Sequence, residues 1–193
     1  MKRWLESAAA ASKLASWGPW ALCVAFLAWG WGPALWQLGR VTPAYADVLE
    51  LTWATTWFSQ ALSQGQNPFF YPLAFYPHGW HVGTFAAGPA VLALLLPLHA
   101  AGGAAFAHNA GALLTFLVTF AGMRRLAQFF LSPWPAGLAA LLYTFCAFRW
   151  FSLRGHMNML LATAMLPWLA WALEGYFRAE RPAWGKLMVA GLF

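Results

Sequence analysis

Four stretches of this sequence, residues 17–38, 106–123, 134–151 and 157–173, are apolar over close to the length of one bilayer crossing, for which a helix needs about 20 residues. A chain built from such runs has little choice but to be helical. Composition agrees: 62% of residues are hydrophobic and 8% charged, whereas a soluble domain is roughly a quarter charged. The class expected is an all-α, polytopic membrane protein, integral to the plasma membrane, its bilayer the first partner. The final residues, 186–193 (KLMVAGLF), read as the beginning of another helix, so the chain is expected to be the N-terminal part of one larger membrane domain.

The net charge of +6 does not point to nucleic acid. The eleven Lys and Arg occur singly or in pairs, without a basic face interleaved with aromatics, and serve instead as topology markers. Cys23 and Cys146 lie in apolar segments with no CxxC partner and say nothing about redox compartment. Ala44-Tyr45-Ala46 resembles a signal peptidase site, but run 17–38 exceeds the roughly 7 to 15 residues of a signal core. An uncleaved anchor is expected, with the N-terminus cytoplasmic.

Topology turns on residues 85–101. This segment is apolar but only 17 residues long, with Pro89 and Pro97 inside it, at the lower limit for a span. If it crosses, Lys2, Arg3, Lys13, Arg149 and Arg154 are inside and the other six basic residues outside. If it stays on the outer surface, Lys2, Arg3, Lys13, Arg124, Arg125, Arg178, Arg181 and Lys186 are inside, against Arg40, Arg149 and Arg154 outside. The second count follows the positive-inside bias. Residues 39–105 then form one long outer loop, in which residues 85–101 are a surface or re-entrant helix.

That loop holds the chemistry. Residues 47–63 read as an amphipathic helix: at about 100° per residue, Thr52, Thr56, Ser59 and Ser63 share one stripe and Leu51, Ala54, Trp57, Phe58, Ala61 and Leu62 the opposite one. It should lie along the membrane surface. Asp47, the sole aspartate of the chain, and Glu50 fall within the apolar stripe and are expected to face protein or membrane. Two roles compete for them. Asp47-Val48-Leu49-Glu50 has capping-box spacing; alternatively, a carboxylate at a membrane surface can accept a proton or hold a divalent cation.

Residues 64–84 (QGQNPFFYPLAFYPHGWHVGT) carry Pro68, Pro72, Pro77, Gly65, Gly79 and Gly83, which predicts an ordered irregular loop, neither helix nor strand. Its aromatics, Phe69, Phe70, Tyr71, Phe75, Tyr76 and Trp80, suit the interfacial belt. Tyr76, His78 and His81 are candidate substrate contacts, the histidines being alternatively hydrogen-bonded structural residues. The expected topology returns Arg149, Arg154, His156 and Asn158 to the face of Asp47. Guanidinium groups there bind phosphate or lipid head groups.

At this point the sequence resembles a family. An outward first helix, an acidic residue just after it, Asn67-Pro68-Phe69, then Tyr76-Pro77-His78-Gly79-Trp80, with Gly155-His156-Met157-Asn158 later, is similar to the first outer loop of GT-C membrane glycosyltransferases, among them the oligosaccharyltransferase catalytic subunit and a set of bacterial GT-C-like proteins. The resemblance implies transfer of a sugar or glycan from a polyprenyl-phosphate-linked donor on the outer face, with the first-loop carboxylate as catalytic base or metal ligand. That role falls on Asp47, with Glu50 second, and a divalent cation (Mg or Mn) would be the cofactor. The chain departs from the pattern where it offers His156 and Asn158 in place of a second acidic motif, which leaves a metal-independent base open. Arg149 or Arg154 would stabilise the leaving phosphate. A transporter for a lipid-linked substrate and a non-catalytic scaffold are the alternatives. Among familiar motifs, GxxxxGK[ST], HExxH, GxSxG and paired CxxC do not occur.

Overall fold

Pro97 does not end the helix it sits in; Gly103 does. In the computed structural model of the chain, which describes residues 2–42, 46–81, 88–179, 185, 188 and 191, the elements in order are α1 (Lys2–Trp31), a 3₁₀ helix (Gly32–Gln37), α2 (Ala46–Ser63), β1 (Phe70–Tyr71), β2 (Trp80–His81), α3 (Gly88–Ala127), α4 (Pro133–Thr144), α5 (Ala147–Ser152) and α6 (Met157–Phe177). The chain is mostly helical. Helix α3 and helix α6 each contain a stretch long and apolar enough to cross a membrane.

Helix α3 runs through Pro97 and breaks at Gly103, whose backbone (φ 80°, ψ −177°) is non-helical. Only glycine reaches that conformation without strain. The break is deep. On a straight helix Leu95 and Gly111 would stand about 24 Å apart at 1.5 Å per residue, yet a Cβ at Gly111 would meet the Leu95 side chain at 2.7 Å. The two limbs of α3 are therefore folded onto each other, with Leu95 buried between them. The sequence expectation of two separate segments, residues 85–101 and 106–123, has its counterpart in these limbs; residues 82–87 lie outside the described ones.

Two compact units make up the chain. The first comprises Met1–Gly32, Thr115–Arg149 and Ala162–Phe193, and its contacts are made by small residues against rings. Helix α4 approaches α1 where Gly137 rests on the Pro19 ring and Gly18 on Trp134, leaving no room for a Cβ at either glycine. Gly122 admits Trp168 in the same way, and the Trp168 indole donates to the Val118 carbonyl at 3.0 Å. Trp20 meets Phe120 edge-on at 4.6 Å, and Trp31 meets Phe116 at 5.4 Å. The expected helix over 134–151 is broken: α4 ends at Thr144 and α5 starts at Ala147, after Phe145 leaves the helical region while its N–H still reaches the Leu141 carbonyl.

The second unit comprises Pro33–Leu114 and Trp150–Leu161. Its core is the apolar stripe of α2: Leu51, Ala54, Trp57, Phe58 and Ala61 are buried, and Leu92 joins them. Leu62, expected on that stripe, is exposed. The hydroxyl stripe turns back on its own helix, with Thr56 donating to the Thr52 carbonyl at 2.8 Å and Ser63 to the Gln60 carbonyl at 2.7 Å. The loop after α2 is more regular than expected. Phe70 pairs with His81 and Tyr71 with Trp80 in a short antiparallel ladder, closed onto α2 by Trp80 stacking on Trp53 at 5.6 Å, Tyr71 edge-on to Trp57 at 4.7 Å, and the Trp57 indole donating to the Pro68 carbonyl at 2.9 Å. Asn109 fastens the linker before α2, its amide donating to the carbonyls of Leu38 and Val41 at 2.8 and 2.6 Å.

Candidate functional site

The start of α2 and the start of α6 meet within the second unit, and glycine makes the meeting possible. Gly155 has φ +125°, and a Cβ there would collide with the Asp47 Cβ and lie 2.7 Å from the Asp47 carbonyl carbon and 2.8 Å from the Val48 nitrogen. The backbone before α6 thus lies directly on the first turn of α2. His156 follows at once: its N–H donates to the Ser152 carbonyl at 3.0 Å, and its own carbonyl accepts from Met159 and Leu160 at 3.0 and 3.1 Å, opening α6. Its direction is set on both sides.

The result is a contact between an imidazole and a carboxylate far apart in sequence. His156 Nε2 stands 3.6 Å from Asp47 Oδ2, with the two side chains 35% and 52% exposed respectively. That is close, but beyond hydrogen-bond range. The exposure leaves the pair reachable from outside. The Phe151 ring stacks on His156, centroids 6.0 Å apart and planes at 27°, and the Arg154 guanidinium lies 5.7 Å over the other partner of that stack, Phe151.

One expectation about the carboxylates is corrected. Helix α2 begins at Ala46, so Asp47 sits within the first turn rather than at the cap, where its charge complements the unpaired N–H groups of the helix start. Asp47 and Glu50 are both exposed on the chain, and Asp47 also bears on Gly155 and His156.

The remaining candidates are distributed. Arg154 is exposed and Asn158 half-buried, both beside His156 in sequence. Tyr76 and His78 are exposed in the connection between the strands, and His81 ends β2 with its ring 5.1 Å from Phe70. The strand pair is held by Trp53, Trp57 and Phe58, about 9 to 17 Å along α2 from Asp47 at 1.5 Å per residue. Arg149 belongs to the first unit, where it is buried, bonded to the Thr163 hydroxyl and held 4.8 Å over Phe116. Unlike Arg154, it is part of the packing.

Asp47 and His156 offer two metal donors, and among the described residues no group of three His, Cys, Asp or Glu side chains could hold an ion. A carboxylate brought about half an ångström nearer the imidazole nitrogen would accept its N–H, fixing the ring's tautomer and letting the two groups share a proton as an acid–base couple requires. Gly155 and Phe151 were not among the sequence candidates. The signal for Gly155 was its place immediately before His156; Phe151 had none beyond being aromatic. No family model, curated protein or solved structure matches the chain.

Proposed function

We propose that this chain belongs to a multi-pass membrane glycosyltransferase of the GT-C type, which moves a sugar from a polyprenyl-phosphate-linked donor to an acceptor on the outer face of the plasma membrane. The observation that carries this reading is the juxtaposition of Asp47 with His156: two of the elements on which the resemblance rests, an acidic residue after the first helix and the Gly155-His156-Met157-Asn158 element, touch.

The chemistry follows from the groups present. The Asp47 carboxylate takes the proton of the acceptor hydroxyl as that oxygen bonds to C1 of the sugar. The bond from C1 to the phosphate oxygen breaks, and its electron pair leaves with the polyprenyl phosphate. The exposed guanidinium of Arg154 offsets the charge that develops there. His156 holds the carboxylate in position and shares its proton.

The membrane setting is supported by what the first unit turns outward. Trp17, Trp29, Leu142 and Phe177 are each more than two-thirds exposed, an arrangement that water penalises and lipid does not. Close contacts at Gly18, Gly122 and Gly137 suit helices that pack without a hydrophobic drive.

The test is sugar transfer in proteoliposomes with a panel of polyprenyl-phosphate sugars, comparing the native protein with Asp47→Asn. Asparagine keeps the size and the first-turn oxygen but removes the base. Transfer that disappears in the variant supports the reading. Equal transfer reduces Asp47 to a helix-start residue, and no transfer with any donor favours a transporter or scaffold.

A further inference from the structure

Between Leu51 and Met123 the sequence has no Asp, Glu, Lys or Arg. Within this charge-free span lies the connection between β1 and β2, residues 72–79, where three large apolar side chains are exposed: Leu73 at 72%, Phe75 at 71% and Tyr76 at 80%.

This tip is held rigidly. Below it, Tyr71 and Trp80 are locked to Trp53 and Trp57. At its end Gly79 (φ +74°) sits on the Phe70 ring, where a Cβ would come within 2.6 Å. Across it, the His78 N–H donates to the Phe75 carbonyl at 3.0 Å. Phe75 itself is held at φ 52°, a left-handed conformation that is an outlier for a bulky residue. Backbone strain of this kind persists where the surroundings impose it and where function uses it. Its effect here is to present an aromatic ring to the outside.

We propose that residues 72–79 insert into the interfacial layer of a lipid bilayer and anchor the second unit to it. Bilayer rather than protein is the occupant because the surface is apolar, aromatic and uncharged together. Tyrosine and tryptophan favour the boundary between hydrocarbon and headgroups, and hydrocarbon excludes charge. A protein partner of comparable specificity would be expected to meet a polar rim with charges that fix register, and this span supplies none. The inference rests on the membrane reading above but not on the transferase chemistry.

The experiment uses the full chain in phosphatidylcholine vesicles, with Cys23→Ala and Cys146→Ala as background. Leu73→Cys and, separately, Tyr76→Cys carry the fluorophore NBD; Leu166→Cys, on an exposed position of α6, is the reference. Expected at the tip are a blue-shifted emission, strong quenching by nitroxide lipids labelled near the headgroup, and iodide quenching severalfold weaker than for the free dye. Quenching by iodide without quenching by nitroxide lipids overturns the inference. So does protection from both quenchers, which would assign the tip to a protein surface or to another segment of chain. If Leu166 is reached by nitroxide lipids and the tip is not, the anchor fails alone; if neither is reached, the membrane reading fails with it.

Discussion

Gly155 lies on Asp47, the α-hydrogen that stands where a side chain would begin facing the aspartate Cβ and the Val48 nitrogen, and this contact sets the imidazole of the next residue 3.6 Å from the carboxylate. A residue without a side chain thereby brings together two groups separated by more than half the chain.

Gly155→Ala should damage this arrangement twice, through the left-handed backbone and through the clash. The cost expected is about 1 to 3 kcal/mol, read as a drop in melting temperature of roughly 2 to 4 °C per kcal/mol for a chain of this size. An unchanged melting temperature in detergent would show that α6 does not rest on α2 here.

At Gly137, α4 rests directly on α1 against the Pro19 ring. Gly137→Val adds volume where none is free, and overpacking of this kind costs about 1 to 3 kcal/mol. Gly185, with nothing near its Cβ, is the control: Gly185→Val should leave the thermal transition in place. Equal effects of the two substitutions would contradict the packing described.

Trp57→Phe keeps most of the ring that fills the core beside Leu92 but removes the donor to the Pro68 carbonyl. The loss expected is roughly 1 kcal/mol, confined to the strand pair. Limited proteolysis within residues 64–79 should accelerate while cleavage elsewhere does not, and uniform acceleration would mean that the bond supports the whole unit.

Much of this fold was legible in the sequence because apolar length and helical period are direct consequences of burial. The stripe of α2 from Leu51 to Ala61 is where periodicity puts it, and helix α6 covers the expected run 157–173. What escaped depends on single backbone positions. Proline was expected to interrupt residues 85–101, but α3 runs through Pro97, and the break falls at Gly103, whose φ of 80° a residue with a Cβ would adopt only under strain. The ladder between Phe70 and His81 is too short for an alternating pattern to reveal it. The candidate site was legible as residue types, an acidic residue and a Gly-His-x-Asn element, but no local rule could place position 156 beside position 47. Nor could composition separate Arg149, buried against Phe116, from exposed Arg154.

The central claim is that Asp47 and His156 act as one unit, and a double-mutant cycle on sugar transfer addresses it most directly. Rates are measured in proteoliposomes for the native chain, Asp47→Asn, His156→Gln and the pair. Residues that act together are strongly non-additive, so the double variant should be scarcely slower than Asp47→Asn alone. If the two single losses instead multiply, or if His156→Gln transfers as fast as the native chain, the pair is a contact without a shared role and the proposed mechanism is wrong.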